Sequence, residues 1–80
     1  MLLTSTGAGD AVTLANGTRP GQLKYVVANS GYTAGNTSVI TPTSALGYAT
    51  VTFDANGDAV TFFWTGSQWV IVGSYGASIT

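Results

Sequence analysis

The stretch that decides the fold is AVTFFWTGSQWVIVG, residues 59–73. Large apolar residues alternate with other side chains on both sides of Gly66-Ser67, which is typical of β-strands with one buried face. A Gly-Ser pair suits a type II′ turn because glycine takes its first central position. The turn then sets Trp64 directly opposite Trp69, and the stretch is predicted to form a β-hairpin.

A second turn signal, Asn56-Gly57, precedes this hairpin. Asn-Gly between alternating segments is a strong hairpin signal because a type I′ turn needs positive φ at both central residues. Placed at a hairpin tip, it pairs Phe53 with Val60 and adds a third strand, which predicts a C-terminal three-stranded meander. The side of this meander that we expect to form the core carries Ala49, Val51, Phe53, Val60, Phe62, Trp64, Trp69 and Ile71.

The opposite side of the predicted meander is not a normal solvated face. A solvated sheet face alternates to polar residues, whereas this one combines Tyr48 and Thr61 with Phe63, Val70 and Val72. Clustered apolar side chains on a second face indicate a partner surface. We therefore take these five residues as the candidate contact with another subunit or with a capsid. The alternative is a short N-terminal strand of the same chain that folds over this face.

The rest of the chain also has the composition of strands and turns. Gly, Thr, Val, Ser and Asn dominate, and no segment has apolar residues at helical spacing. We expect strands near residues 2–5, 11–15, 22–29, 37–41, 48–54, 58–65 and 69–75. Eighty residues make one domain. The predicted fold is a single all-β domain over residues 1–80, a small antiparallel barrel or sandwich with a C-terminal three-stranded meander.

The pentapeptide GDAVT occurs twice, at residues 9–13 and 57–61. An Ala-Asn-Gly turn follows the first copy and precedes the second, whereas a tandem duplication would keep one order. We interpret GDAVT as a local way to start a strand: Gly for the tight turn, Asp to bond nearby N–H groups, and Val-Thr for the pleat.

Charge is scarce in this chain. Only 6% of the residues are charged, and the chain has no Glu, His or Cys, against about 25% charged residues in an ordinary globular domain. A domain this small without disulfides or a metal often relies on oligomerisation. Packing against copies of itself or on a larger particle explains the missing surface charge. The alternative is a secreted domain whose neutral polar surface suffices.

The same composition argues against several function classes. Two basic residues, Arg19 and Lys24, are too few for a phosphate-binding footprint, so we expect no nucleic-acid partner. The apolar runs are only a few residues long, so we expect no membrane partner. No His can activate a Ser or Thr, and Asp54 and Asp58 beside a turn are expected to be ordinary acids. We therefore predict that the protein is not an enzyme and has no catalytic, cofactor-binding or metal-binding residues.

Aromatic residues leave one alternative open. Sugars stack on exposed aromatic rings, and the chain could provide such rings from Trp64, Trp69, Tyr25, Tyr32, Tyr48 and Tyr75. The hairpin register, however, places both tryptophans on the core side as a cross-strand pair. A small carbohydrate-binding module with a surface glycan as its ligand is thus the alternative function.

Three segments together carry a resemblance: GTRPGQLKYVVA (17–28), VITPTSA (39–45) and YATVTFDANGDAVTFFWTGSQWVIVGSYG (48–76). They are similar to short Gly/Thr/Val-rich β modules in structural proteins of tailed bacteriophages. The matching positions are Leu14, Gly17, Gly21, Gln22, Lys24, Thr41, Pro42, Thr52, Phe53, Gly57, Asp58, Val60, Phe62, Trp64, Gly66, Trp69, Val70 and Gly73.

The resemblance implies a virion structural protein without catalytic residues. Such a protein is a capsid (head) decoration protein or a fibre or spike module, most often a homotrimer. Its partners are other copies of itself and other virion proteins, and it is made in the host cytoplasm and carried on the particle.

Overall fold

The computed structural model describes residues 1–33 and 35–80, which form eight β-strands and no helix. The strands are β1 (Leu2–Thr4), β2 (Asp10–Leu14), β3 (Leu23–Ser30), β4 (Ser38–Pro42), β5 (Val51–Phe53), β6 (Ala59–Trp64), β7 (Trp69–Tyr75) and β8 (Ser78–Ile79). The first seven coincide with the predicted strands to within three residues at either end, and β8 was not predicted. Nothing helical in the described ranges is long and apolar enough to span a bilayer.

The strands build two four-stranded sheets. Sheet 1 has the order β1-β3-β6-β7 and sheet 2 the order β2-β4-β5-β8. The all-β prediction is confirmed as a sandwich, and the barrel alternative is wrong. The sheets are mixed and not purely antiparallel, because β1 runs parallel to β3 and β2 parallel to β4. From β1 to β4 the chain changes sheet after every strand. As a result β3 runs in the same direction as β1 in sheet 1, and β4 runs in the same direction as β2 in sheet 2.

The core lies between the inner faces of the two sheets. Phe62 and Val60 of sheet 1 are buried there together with Val51 and Phe53 of sheet 2. The core comprises Leu3, Leu14, Val26, Ala28, Tyr32, Ile40, Val51, Phe53, Val60, Phe62, Trp64 and Trp69, with Val12, Tyr48, Ile71 and Ala77 packed against it. Of the eight predicted core residues, six are buried in this core and Ile71 packs against it. Ala49 is the exception because it is exposed and precedes β5.

The β6–β7 hairpin has the predicted register at its turn end. Trp64 pairs with Trp69 and Phe62 pairs with Ile71. Beyond that point the register shifts at a β-bulge, and Thr61 pairs with Gly73. Continued without a bulge, the register set by the Gly66-Ser67 turn pairs Val60 with Gly73. Val60 instead pairs with Ser74, so this expectation is wrong by one residue, because the bulge adds a residue to β7.

The prediction of a C-terminal three-stranded meander is wrong. The turn at Asn56-Gly57 forms, with the Asp58 N–H donating to the Ala55 carbonyl at 3.2 Å, but β5 and β6 lie in different sheets. The cause is the backbone around Gly57. Its N–H donates to the Ala28 carbonyl at 2.7 Å, and the Ala28 N–H donates to the Asp58 carbonyl at 2.7 Å. The chain thus leaves the turn already bound to β3, and β5 pairs with β4 and β8.

The two GDAVT copies adopt the same local structure, as predicted. Gly9 and Gly57 both have positive φ, 73° and 94°. In each copy the aspartate accepts a hydrogen bond from the backbone N–H four residues earlier: Asp10 from Thr6 at 2.7 Å, and Asp58 from Asp54 at 3.0 Å. The motif therefore closes a turn and begins a strand, once in each sheet.

Candidate interaction face

Ten positions of sheet 1 point away from the core and form one continuous surface. Because residues paired across neighbouring strands share a face, the register defines three rows, each running across the sheet. The rows are Leu2, Val27, Ala59, Tyr75; then Tyr25, Thr61, Gly73; then Leu23, Phe63, Val70. We call this set the apolar face, since only Thr61 and Gly73 depart from apolar or aromatic character.

The apolar face is open to solvent at its large side chains. Leu2 keeps 68% of its surface exposed, Tyr25 59% and Tyr75 75%. Leu23 is exposed as well, whereas Phe63 and Val70 are partly buried. Single exposed apolar residues are ordinary, but a contiguous set on one face marks an interaction site.

The outer side of sheet 2 has a different chemistry. Its outward positions, by the same register argument, are Ala11, Thr13, Val39, Thr41, Thr52 and Ser78. We call this set the hydroxyl face, because four of its six side chains carry a hydroxyl group. It has the composition expected of a sheet face in water. The contrast between the two outer faces of one sandwich shows that the apolar face is specific and not a consequence of overall composition.

None of the five charged side chains belongs to the apolar face. Asp10, Asp54 and Asp58 lie at turns that start strands, and Arg19 lies in the loop between β2 and β3. Lys24 is in β3, but it pairs with the buried Phe62 and so alternates to the other side of the sheet. The apolar face thus carries no charged side chain.

The structure brings together three of the five predicted contact residues. Thr61, Phe63 and Val70 lie on the apolar face. Val72 is the extra residue at the bulge, adjacent to this face and exposed. Tyr48 does not join them, because its assignment depended on the meander.

Tyr48 instead packs against the core. Its ring centroid lies 6.4 Å from that of Phe62, and its hydroxyl oxygen is buried without a hydrogen-bond partner. Burial raises the pKa of Tyr48 to about 12. Its role in the structure is therefore packing between the sheets.

Sequence reasoning missed seven of the ten members of the apolar face, and four of the seven are large and exposed: Leu2, Leu23, Tyr25 and Tyr75. The alternation over residues 23–27 was visible, but β3 could be oriented only once its pairing with β6 was known. The N-terminal strand offered as an alternative cover for the face does not cover it. β1 lies beside β3 in the plane of sheet 1 and contributes Leu2 to the same surface.

The two tryptophans are part of the core and do not form a surface platform. Their ring centroids are 5.2 Å apart, and only 4% of Trp64 and 2% of Trp69 is exposed. The Trp69 Nε1–H donates to the Ala15 carbonyl at 2.9 Å, and the Gly21 N–H donates to the Trp64 carbonyl at 2.8 Å. The loop between β2 and β3 thereby closes one end of the sandwich.

Gln22, one of the positions that carry the phage resemblance, also has a structural role in that loop. Its side-chain oxygen accepts a hydrogen bond from the Thr18 N–H at 2.8 Å. Gly21 and Gln22 lie in this loop, and the loop is hydrogen-bonded to Trp64 and Trp69. These loop positions and the two tryptophans, all of which carry the resemblance, thus belong to one structural element.

Two aspartates, Asp10 and Asp54, have pKa values that are shifted by their neighbours. The adjacent Asp58 carboxyl, which hydrogen-bonds to protonated Asp54, raises the pKa of Asp54, and burial and charge repulsion add to the effect. Hydrogen bonds, the largest from the Thr6 backbone N–H, lower the pKa of Asp10. Over residues 1–33 and 35–80 we find no pocket and no group of three or more potential metal ligands.

The chain matches no protein-family profile, no curated protein and no solved structure.

Proposed function

We propose that this protein is a structural component of a tailed-bacteriophage particle, a homo-oligomeric capsid decoration protein or a fibre or spike module that is held in place through its apolar face. The observation that carries the proposal is the contrast between the apolar face and the hydroxyl face on one sandwich. A sheet whose outer side bears Leu2, Tyr25, Phe63 and Tyr75 is suited to being covered.

Composition supports the same function. With five charged side chains in 80 residues, the protein has little of the surface charge that keeps monomers apart in solution. In a particle, neighbouring subunits cover the apolar surface continuously. The resemblance to phage β modules further implies that the particle is a tailed bacteriophage and that the protein is a homotrimer.

Particle composition tests the proposal. Virions of a phage that encodes this chain, purified on a density gradient, should contain an 8.1 kDa species by intact mass measurement. Intact mass suits this chain because trypsin has one site at which to cut, Lys24, since the bond after Arg19 is blocked by Pro20. A variant with Tyr25→Glu should be lost from the particles, whereas Thr41→Glu on the hydroxyl face should be retained. A chain abundant in the lysate and absent from purified virions contradicts the proposal.

The carbohydrate-binding alternative has less support. Its strongest candidates for stacking on a sugar, Trp64 and Trp69, are buried, and only Tyr25 and Tyr75 remain as exposed rings. Tryptophan fluorescence should accordingly be blue-shifted and unchanged by added sugars. A saturable change in fluorescence on titration with a glycan would favour the alternative.

A further inference from the structure

The apolar face constrains what can cover it. It has no charged side chain, and apart from Thr61 and the two tyrosine hydroxyls it has no side-chain hydrogen-bonding group. The buried centres of interfaces are depleted of charged residues and enriched in aromatic residues such as Tyr and Phe. A charged partner surface would lose its hydration here without gaining a counter-charge. The surface that covers this face must itself be neutral and largely apolar.

Over residues 1–33 and 35–80, the apolar face is itself a surface of that kind. We infer that the apolar face is covered by the apolar face of another copy of the same chain, sheet against sheet. This inference rests on the proposed function, in which the face is a permanent contact, and names the partner. Because all five charged side chains lie off the face, no repulsion between like-charged side chains opposes the pairing.

The area of the face is suitable for self-association. Side chains of this size contribute on the order of 100 Å² each when leucine-like and 150–250 Å² when aromatic. With the exposed fractions of Leu2, Tyr25 and Tyr75 and the smaller contributions of the other positions, the face offers roughly 600 Å². A standard interface uses about 800 Å² on each partner. Val72 and Met1 are also exposed, beside Gly73 and Leu2 in the sequence. Their contact with the other copy would bring the area of the face closer to that of a standard interface.

Pairing through sheet edges is less favoured than pairing through faces. At the start of β7, the Trp69 N–H donates to the Ser44 carbonyl at 2.9 Å and its carbonyl accepts from Leu46 at 3.1 Å. Farther along β7, the bulge interrupts the edge. β1 and β8 are three and two residues long. Short, covered or bulged edges discourage strand addition. Both edges of sheet 1, β1 and β7, are of this kind, so the face is the favoured route of association for that sheet.

Face-to-face packing brings the middle row of one copy close to that of the other. Packed sheets lie about 10 Å apart, so side chains from both faces interdigitate. Thr61 is the central residue of that row, between Tyr25 and Gly73. A charge introduced at position 61 therefore meets the same charge in the other copy, whether two faces stack as a pair or three surround an axis.

Charge complementation tests the inference. Thr61→Glu and Thr61→Lys should each weaken self-association by about a hundredfold in sedimentation experiments at low salt. An equimolar mixture should restore association, with both chains in the complex. Thr41→Glu and Thr41→Lys, on the hydroxyl face, are the matched controls and should associate like the original chain. If the Thr61 variants fail to fold by circular dichroism, Tyr25→Glu and Tyr25→Lys replace them, since Tyr25 projects into solvent.

Three results would overturn the inference: a chain that stays at 8.1 kDa at high concentration, Thr61 variants that associate as tightly as the original, or folded variants that the mixture does not rescue. A monomer that is nevertheless present in virions overturns the inference and leaves the proposed function standing. Rescue by mixing, with no chain in purified particles, supports the inference and contradicts the proposed function.

Discussion

Gly17 lies flat against the indole ring of Trp64. A Cβ atom added at Gly17 would stand against three indole carbons, 2.8 Å from the farthest of them. Trp64 in turn packs on Trp69, so the glycine completes the packing of the tryptophan pair at one end of the sandwich. The absence of a side chain at position 17 is therefore a packing requirement that the fold imposes on the loop.

Gly17→Ala should lower the free energy of unfolding by about 1–3 kcal/mol, because the methyl group overpacks a rigid ring in the core. Urea denaturation followed by tryptophan fluorescence measures the change. Gly7→Ala is the matched control, since its Cβ would meet only Asp10 Oδ1, at 4.0 Å, and should change stability by less than about 0.5 kcal/mol. Equal stability of the two variants would show that the loop does not pack on Trp64.

Gly57→Val should also destabilise the protein, for a different reason. Nothing lies within 4 Å of a Cβ built at Gly57, but its φ of 94° is strained for any L-residue. We expect a loss of about 1–2 kcal/mol from Gly57→Val and a smaller loss from Gly57→Asn, because asparagine tolerates positive φ better than a β-branched residue does. Thermal unfolding by circular dichroism compares the two. A Gly57→Val protein with an unchanged melting temperature would contradict the turn geometry.

The turns show how far the sequence predicts this fold. The Gly66-Ser67 hairpin is predicted correctly because both of its strands are adjacent in sequence and the turn dictates their register. The Asn56-Gly57 turn is also placed correctly, but its local chemistry does not decide whether the strands on its two sides pair with each other or with other strands. That choice depends on Ala28, almost thirty residues earlier, whose backbone binds Gly57 and Asp58.

The candidate face is predictable in part for the same reason. Phe63 and Val70 are neighbours across a local hairpin, so their shared face follows from the sequence. Leu2 and Tyr25 join them only through the pairing of β1 with β3 and of β3 with β6, which are contacts between distant segments. Long-range strand pairing carries little local signal, because many apolar strands satisfy the same alternation.

A buried pair of hydroxyl groups gives another test. Tyr32 and Ser38 are both buried, and the Tyr32 hydroxyl oxygen lies 2.8 Å from Ser38 Oγ. Tyr32→Phe leaves the Ser38 hydroxyl without this partner and should reduce stability by about 1–3 kcal/mol. Adding Ser38→Ala should recover part of that loss, since both polar groups are then gone. A double-mutant cycle by urea denaturation measures the coupling, and strictly additive effects would contradict the bond.

Asp10 and Asp54 should give opposite pH effects on stability. The pKa of Asp10 is lowered in the folded protein by hydrogen bonds from Thr6 and neighbouring groups, so its stabilising contribution is present above the ordinary value of 3.8. That contribution disappears as the pH falls through the lowered pKa. The pKa of Asp54 is raised by Asp58, so protonation of Asp54 favours the folded state. Its contribution therefore improves as the pH falls through the raised pKa toward 3.8.

Two substitutions separate these effects. Asp54→Asn removes the repulsion with Asp58 at neutral pH, so this variant should be more stable than the original at pH 7 and should gain less on mild acidification. Asp10→Asn removes a carboxylate that accepts bonds from the Thr6 N–H at 2.7 Å and the Thr6 hydroxyl at 3.2 Å. It should be less stable at pH 7, and the difference should shrink as the pH falls below 3.8. Urea midpoints between pH 3 and pH 7 measure both curves, and parallel pH profiles for the two variants would contradict the opposite shifts.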